Sequence, residues 1–280
     1  MDKHAILSDT SFGRRVAEEE IEQLASYFVE TDHWKKLFRD EVDIVYGAKG
    51  SGKSALYSLL LSNKSKIESE KRTLIVPAEN PRGAPAFKDL LLDPPATERE
   101  FINLWKLYFA TLLHSLLVES GIKNTHVNQI GTSLQREGLV RGTLNLNVIL
   151  SSVVSYVKRA LRPQALEGGI ELDPITQLPK GFNGKITFSE PASTSGDSEL
   201  RSVDRLLELA NSALLEDGKS AWILLDRLDV AFSENLDLET DALRALFRVY
   251  LDLLSNPKIQ LKIFLRSDIW DRITTAGFRE

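Results

Sequence analysis

The chain reads as an α/β protein of three layers, a parallel sheet with helices on both faces. Three observations lead there. A β-like run at 42–46 passes through a glycine-rich loop straight into an apolar helix. Three further short apolar runs, at 73–76, 222–225 and 259–265, alternate with longer helical stretches, as parallel strands alternate with their crossover helices. At 280 residues, 42% hydrophobic and 27% charged, the chain can bury one large core or two modest ones.

Taken in order, residues 14–30 space Ala17, Ile21, Leu24 and Phe28 by 4, 3 and 4, which gives a helix one apolar face. A short second helix starts at Thr31 or Asp32, either of which can cap it. Val42-Asp43-Ile44-Val45-Tyr46 alternates and is rich in β-branched residues, so it reads as a strand. Residues 55–61 contain no Gly or Pro and read as helix, whereas the polar, lysine-rich 62–71 reads as a turn region. Thr73 to Val76 is the next strand, closed by Pro77.

Pro81, Pro85, Pro94 and Pro95 mark 80–95 as a long connection. Thr97-x-x-Glu100 is a capping box for a helix that shows Phe101, Leu104, Tyr108, Leu112 and Leu116 on one stripe and stops at Gly121. Its apolar window, 101–118, holds Asn103, Lys106 and His114, so it reads as a buried helix and not as a membrane span. Another helix covers 147–162. Glycines and prolines make 163–198 loop-like, interrupted by a short strand near 185–188. Residues 200–215 are helical up to Gly218. The buried strand 222–225 ends in Asp226, a helix follows over 238–254, and 259–265 is the last strand.

The segment Gly47-Ala48-Lys49-Gly50-Ser51-Gly52-Lys53-Ser54 fits the spacing Gly, four residues, Gly-Lys-Ser, the phosphate-loop or Walker A pattern. Glycines at 47, 50 and 52 allow conformations closed to residues with a Cβ, so consecutive N–H groups, on into Ala55, can turn toward phosphate oxygens. Lys53 supplies a mobile charge for the β- and γ-phosphates, the Ser54 hydroxyl is a ligand for Mg²⁺, and the helix that starts here adds the positive end of its dipole. Such a site needs a carboxylate to hold Mg²⁺ at the end of a neighbouring strand. Asp226, after Ile223-Leu224-Leu225, is the candidate; its competing role is a helix cap after a core strand.

Composition excludes other classes. A net charge of −5 argues against a sequence-blind nucleic-acid binder. With no cysteine, disulfides, thiolate metal sites and cysteine nucleophiles drop out. His4, His33, His114 and His126 are scattered, which disfavours a metallohydrolase. The N-terminus shows no apolar signal-like stretch, and a cytoplasmic protein is expected. Trp34 and Phe12 are candidates for covering a nucleobase, with core packing as the alternative. The clusters Lys64, Lys66, Lys71, Arg72 and Lys158, Arg159, Arg162 read as solvated faces before DNA contacts.

With these motifs in this order, the chain resembles the additional-strand (ASCE) P-loop ATPases, and within them a bacterial group related to the AAA+, STAND and KAP-type proteins. The Lys49-to-Ser54 run follows a leader with Phe12-Gly13 and an acidic helix holding Glu18 to Glu20, and the matching segments are 12–78 and 200–272. The resemblance implies a three-layer P-loop NTPase core with ASCE-type strand order, split into 1–79, a helical insertion 80–198, and 199–280. In such ATPases the residue after the metal-binding Asp is a water-polarising Glu; here it is Arg227, and Asp229 is the substitute candidate, a helix cap being equally open to it. The position after the last strand holds a polar sensor, so Ser267 or Asp268 is expected there, with Arg266 as a phosphate or inter-subunit contact and a plain strand end and helix cap as the alternative. A fifth strand and a helical lid are expected to be missing before Glu280, which would make turnover by this piece weak.

What the resemblance implies for function is ATP binding and hydrolysis with Mg²⁺, coupled to conformational or oligomeric switching, with a homo-oligomer or an effector protein as partner and bacterial antiviral defence as the setting. A nucleotide-binding scaffold with little turnover and a P-loop kinase are the other classes that fit.

Overall fold

The computed structural model describes residues 31–78, 98–139, 146–161, 187–189, 200–228 and 236–275. The helix expected at 14–30, Phe12, Thr97, the connection 80–95, most of 163–198 and Asp229 lie outside them.

Helix α1 (Asp32–Phe38) starts where Thr31 Oγ1 accepts the Trp34 N–H at 3.2 Å. Strand β1 (Ile44–Gly47) leads through the glycine loop into α2 (Lys53–Ser62). Residues 64–71 correct the expectation of a turn: they form α3 (Lys64–Lys71), which buries Ile67. Its lysines are surface groups with local partners, Lys66 and Lys71 lying over the Phe38 ring and Lys64 lying 3.7 Å from Glu68 one turn on. Strand β2 (Thr73–Pro77) follows.

Helix α4 (Glu98–Glu119) departs from the expected single stripe, since residues on all its sides are buried. It is the one helix among the described residues long and apolar enough to cross a membrane, and 78% of that window is buried inside the fold. Trp105 Nε1 donates to Ala242 O at 2.8 Å, and Tyr108 Oη donates to Ala78 O at 2.6 Å. Its Lys106 holds both Asp204 and Asp252. Helix α5 (Thr125–Arg136), absent from the sequence reading, is capped by Asn124 and buries Val127, Ile130 and Leu134. Helix α6 (Leu146–Leu161) comes next.

Strands β3 (Thr187–Ser189) and β4 (Leu200–Ser202) form a small antiparallel pair, so the helix expected from 200 starts only at α7 (Val203–Glu216), capped by Ser202. Strand β5 (Ser220–Leu225), helix α8 (Leu236–Leu253), strand β6 (Ile259–Arg266) and helix α9 (Ser267–Thr275) complete the described chain.

The main sheet has the order β1-β6-β5-β2, with every pair parallel. Side chains sort by the two-residue period of a strand. Val45, Ile75, Trp222, Leu224 and Phe264 pack with Trp34, Leu37, Tyr57 and Leu60 of α1 and α2. Ile44, Val76, Ile223, Leu225, Ile263 and Leu265 pack on the opposite face, in the cluster that holds α4, α7 and α8. Both faces are covered, as an all-parallel sheet requires, and each fully buried large side chain contributes roughly 1.5–3 kcal/mol.

One charge sits inside this apolar arrangement. Lys262 of β6 is 0% exposed. Its ammonium donates to Asp40 Oδ1 at 2.5 Å, Asp43 Oδ1 at 2.8 Å and Val42 O at 3.0 Å, and lies 4.8 Å from the Trp222 ring centroid. Gln260 Nε2 also donates to Asp40, at 2.6 Å, and Tyr250 Oη to Asp43, at 3.0 Å. Burial, then the Asp43 contact, pushes the Tyr250 phenol up to about 12. The chain between α1 and β1 is thereby fastened to the middle of the sheet.

Replacing Lys262 by Ala leaves two carboxylates facing a buried gap. Urea titration should show a loss of about 3–5 kcal/mol, whereas Arg39→Ala, in an exposed pair, changes stability by less than about 0.5 kcal/mol. A second outcome concerns acid. Burial lowers the His114 pKa from its usual 6.5, and Nδ1 is enclosed without a partner. The unfolded chain therefore takes up a proton that the folded one refuses, so this group costs stability as pH falls below about 6.5 and nothing above it. The urea midpoint should drop more steeply from pH 7 to 5 in the wild type than in His114→Gln.

Candidate functional site

Because the four strands of the main sheet are parallel, Gly47, Arg266, Leu225 and Pro77 all end at the same edge. Register sharpens this. Gly47 pairs with Arg266, and Leu225 with Ile263, which pairs in turn with Ile44. The glycine loop therefore stands beside the end of β6, with β6 separating it from the end of β5.

Residues 48–52 are exposed and connect β1 to α2. Gly50 and Gly52 adopt left-handed conformations, φ 81° and 86°, which cost a residue with a Cβ about 1–2 kcal/mol. An added Cβ at either would meet nothing within 4 Å, so the requirement there is conformational; at Gly47 it would lie 2.7 Å from Ser51 Oγ, so there the requirement is space. Ser51 N–H donates to Ala48 O at 3.2 Å and closes the turn. The Lys53 ammonium folds back over the loop, 2.9 Å from Gly47 O, 2.8 Å from Ala48 O and 3.4 Å from Ser51 Oγ.

Helix α2 opens on Gly52 with no side-chain cap and no acidic residue in its first turn. By contrast α1 and α7 each carry a hydroxyl cap and an aspartate there. The positive end of the α2 dipole thus has no local carboxylate against it, an arrangement that favours an anion. Ser54 and Ala55 stand half-buried in this turn, and Lys49 is exposed on the loop. Tyr57 of α2 packs edge-on against Phe264 of β6, centroids 5.7 Å apart, which seats the helix on the strand next to the loop.

Asp226 is 5% exposed. Leu224 belongs to the α2 side of the sheet and Leu225 to the other. Alternation carried one residue further puts Asp226 on the α2 side, the side of Val45 and Phe264 and, by the same count, of Gly47 and Arg266. The next residue, Arg227, turns into the left-handed region at φ 58°, uncommon for a non-glycine residue.

At the end of β6, Arg266 grips Asp268 with two bonds, Nε to Oδ1 at 3.0 Å and an Nη to Oδ2 at 2.7 Å. The guanidinium holds the Asp268 carboxyl below its usual range. Asp268 lies inside the first turn of α9 and Ser267 begins that helix, so of the readings open to it Asp268 is a first-turn residue and not a helix cap. Trp34 is only 6% exposed and packs in the core, so of its two expected roles the structure gives it packing. The sheet edge thus gathers the loop, Lys53, Ser54, Asp226, Arg266, Ser267 and Asp268; Asp229 lies outside the described residues. Among those residues no three His, Cys, Asp or Glu side chains cluster as a metal cage.

Sequence reading missed Tyr46 as an exposed aromatic beside the loop, and Lys262 as a buried charge. Both had a signal in the alternation: Tyr46 falls opposite Val45, and Lys262 interrupts the apolar run of β6.

Gly52→Ala should lower the unfolding free energy by about 1–2 kcal/mol in a urea titration, although nothing lies near the new methyl group. An unchanged midpoint would show that the left-handed cap is dispensable. Compared with known proteins, the chain matches no family model, no curated protein and no solved structure.

Proposed function

We propose that this edge binds the triphosphate of ATP with Mg²⁺ and hydrolyses it, and that the domain works as a conformational or oligomeric switch. The observation that carries the reading is the exposed loop of Ala48 to Gly52 between a parallel edge strand and a helix without a side-chain cap. Two left-handed glycines and a lysine ammonium lie against that loop. The strand order supports it further: β6 lies between the loop strand and the Asp226 strand, as the additional strand does in the ASCE-type ATPases that the sequence resembles.

The division of labour follows from the chemistry of each group. Loop and first-turn N–H groups take phosphate oxygens. Lys53 exchanges the Gly47 and Ala48 carbonyls for the β- and γ-phosphates, so its charge is already at the loop before the ligand arrives. Ser54 and Asp226 fit Mg²⁺, which takes few protein ligands and completes its shell with water and phosphate. Bound there, the ion would neutralise charge that builds on the phosphates. Arg266, released from Asp268, and Ser267 stand at the end of the neighbouring strand to meet charge as the γ-phosphate leaves. A cytoplasmic setting, an oligomer or effector partner, and a role in antiviral defence follow from the resemblance and belong to the same proposal.

Arg227 favours a second reading. The position that holds a water-polarising Glu in the resembled ATPases here carries a cation in a left-handed turn, and this suits a module that binds ATP and turns it over slowly.

Lys53→Ala should weaken Mg-ATP binding by roughly ten- to a hundredfold in calorimetry, the loss of a charge-assisted contact of about 1.5–3 kcal/mol. Asp226→Asn should retain part of the binding and lose turnover measured as released phosphate. Equal turnover in both variants and the wild type would overturn the assignment. Measurable binding without turnover in the wild type would select the slow-module reading.

A further inference from the structure

Five large hydrophobic side chains are exposed among the described residues: Tyr46, Val118, Leu215, Leu251 and Leu254. The last four stand at or just past the ends of α4, α7 and α8; α7 and α8 run there into the starts of β5 and β6, and Asn124, just before α5, bonds Ala213 of α7. They belong to the end of the molecule away from the glycine loop. Tyr46 alone is at the loop edge, one residue before Gly47, and it is 60% exposed.

The ring is not loose. It stacks on Trp270 of α9 with centroids 5.8 Å apart and an interplanar angle of 21°. Trp270 is held edge-on by buried Phe247 of α8, 5.3 Å away at 76°. Tyr46 therefore has a rigid aromatic backing on one face and water against the other. A tyrosine serving only the core would be covered, whereas a buttressed ring with a free face is suited to a flat π ligand.

Position says which ligand. Strand β1 is the edge of the described sheet, so no described strand blocks the outer side of Tyr46. A nucleotide gripped by the loop can lay its base round that edge onto the ring. Of the two aromatics expected in this role, Trp34 is in the core and Phe12 lies outside the described residues. We propose that Tyr46, backed by Trp270, is the platform on which the base of the bound nucleotide stacks, and that the site takes purine triphosphates in preference to pyrimidine ones because the larger ring system covers more of the platform. This rests on the phosphate-loop reading.

The test is calorimetry in Mg²⁺ with ATP, UTP and inorganic tripolyphosphate, which has phosphates and no base. Tyr46→Ala should lose about tenfold or more in ATP affinity, bind tripolyphosphate as the wild type does, and bind ATP no better than UTP. Tyr46→Phe should bind ATP like the wild type, because stacking uses the ring and not the hydroxyl. Retained tripolyphosphate binding shows that the loop of each variant is folded. If Tyr46→Ala binds ATP as tightly as the wild type, or if the wild type binds ATP and UTP equally, the platform is wrong while the phosphate loop stands. If the wild type binds neither ATP nor tripolyphosphate, both proposals fall.

Discussion

The placement of the loop rests on an ion pair at the far end of its own strand. Lys262, sealed inside the sheet, holds Asp40, Asp43 and the carbonyl of Val42, and Ile263 N–H adds a bond to Asp43 O at 2.8 Å. A buried ammonium must find compensating charge, and the partners it has here draw the entry of β1 against β6. Strand pairing permits slips, and a slip of one residue exchanges the two faces. The lysine forbids one, because any slip would pull the carboxylates off the ammonium. Gly47 thus meets Arg266, and not a neighbour of it, because of a charge four strand positions earlier on β6.

Two separate apolar clusters follow from that register, and they give the loop edge its asymmetry. The cluster under α1 and α2 is small, with Tyr57 of α2 set against Phe264 of β6. The larger cluster on the other face binds α4 through Trp105 and Tyr108 to α8 and to the end of β2. Residues 98–119, within the stretch read as an insertion, lie in that main cluster beside the strands. The α2 side receives the side chains with charge chemistry, namely Lys53, Asp226 and Arg266. The other side receives the aromatic stack of Tyr46, Trp270 and Phe247.

Electrostatics at this edge are arranged around two locally paired cations. Lys53 lies on loop carbonyls and Arg266 on Asp268. Neither partnership is deeply buried, so either pair opens at little cost in desolvation. Lys262 differs: its own side chain is fully buried while its aspartate partners are partly exposed, and its role is structural.

The nine residues from Gly47 to Ala55, the strand before them and the helix after them could be read from the chain, since glycine freedom, lysine spacing and helix dipole are properties of consecutive residues. So could strands at 73–76, 222–225 and 259–265, through their apolar runs. Helix α3 was hidden because only Ile67 on it is buried, and lysines alone give no period. Helix α5 was legible and missed, since Val127, Ile130 and Leu134 stand at helical spacing behind the cap Asn124. What had no local signature was partnership: Asp226 with the α2 face, Arg266 beside Gly47, Tyr46 on Trp270, Lys262 between two aspartates. Each joins segments far apart in the chain, and such neighbours exist only once strand order and register are set by which charges and rings can be buried together.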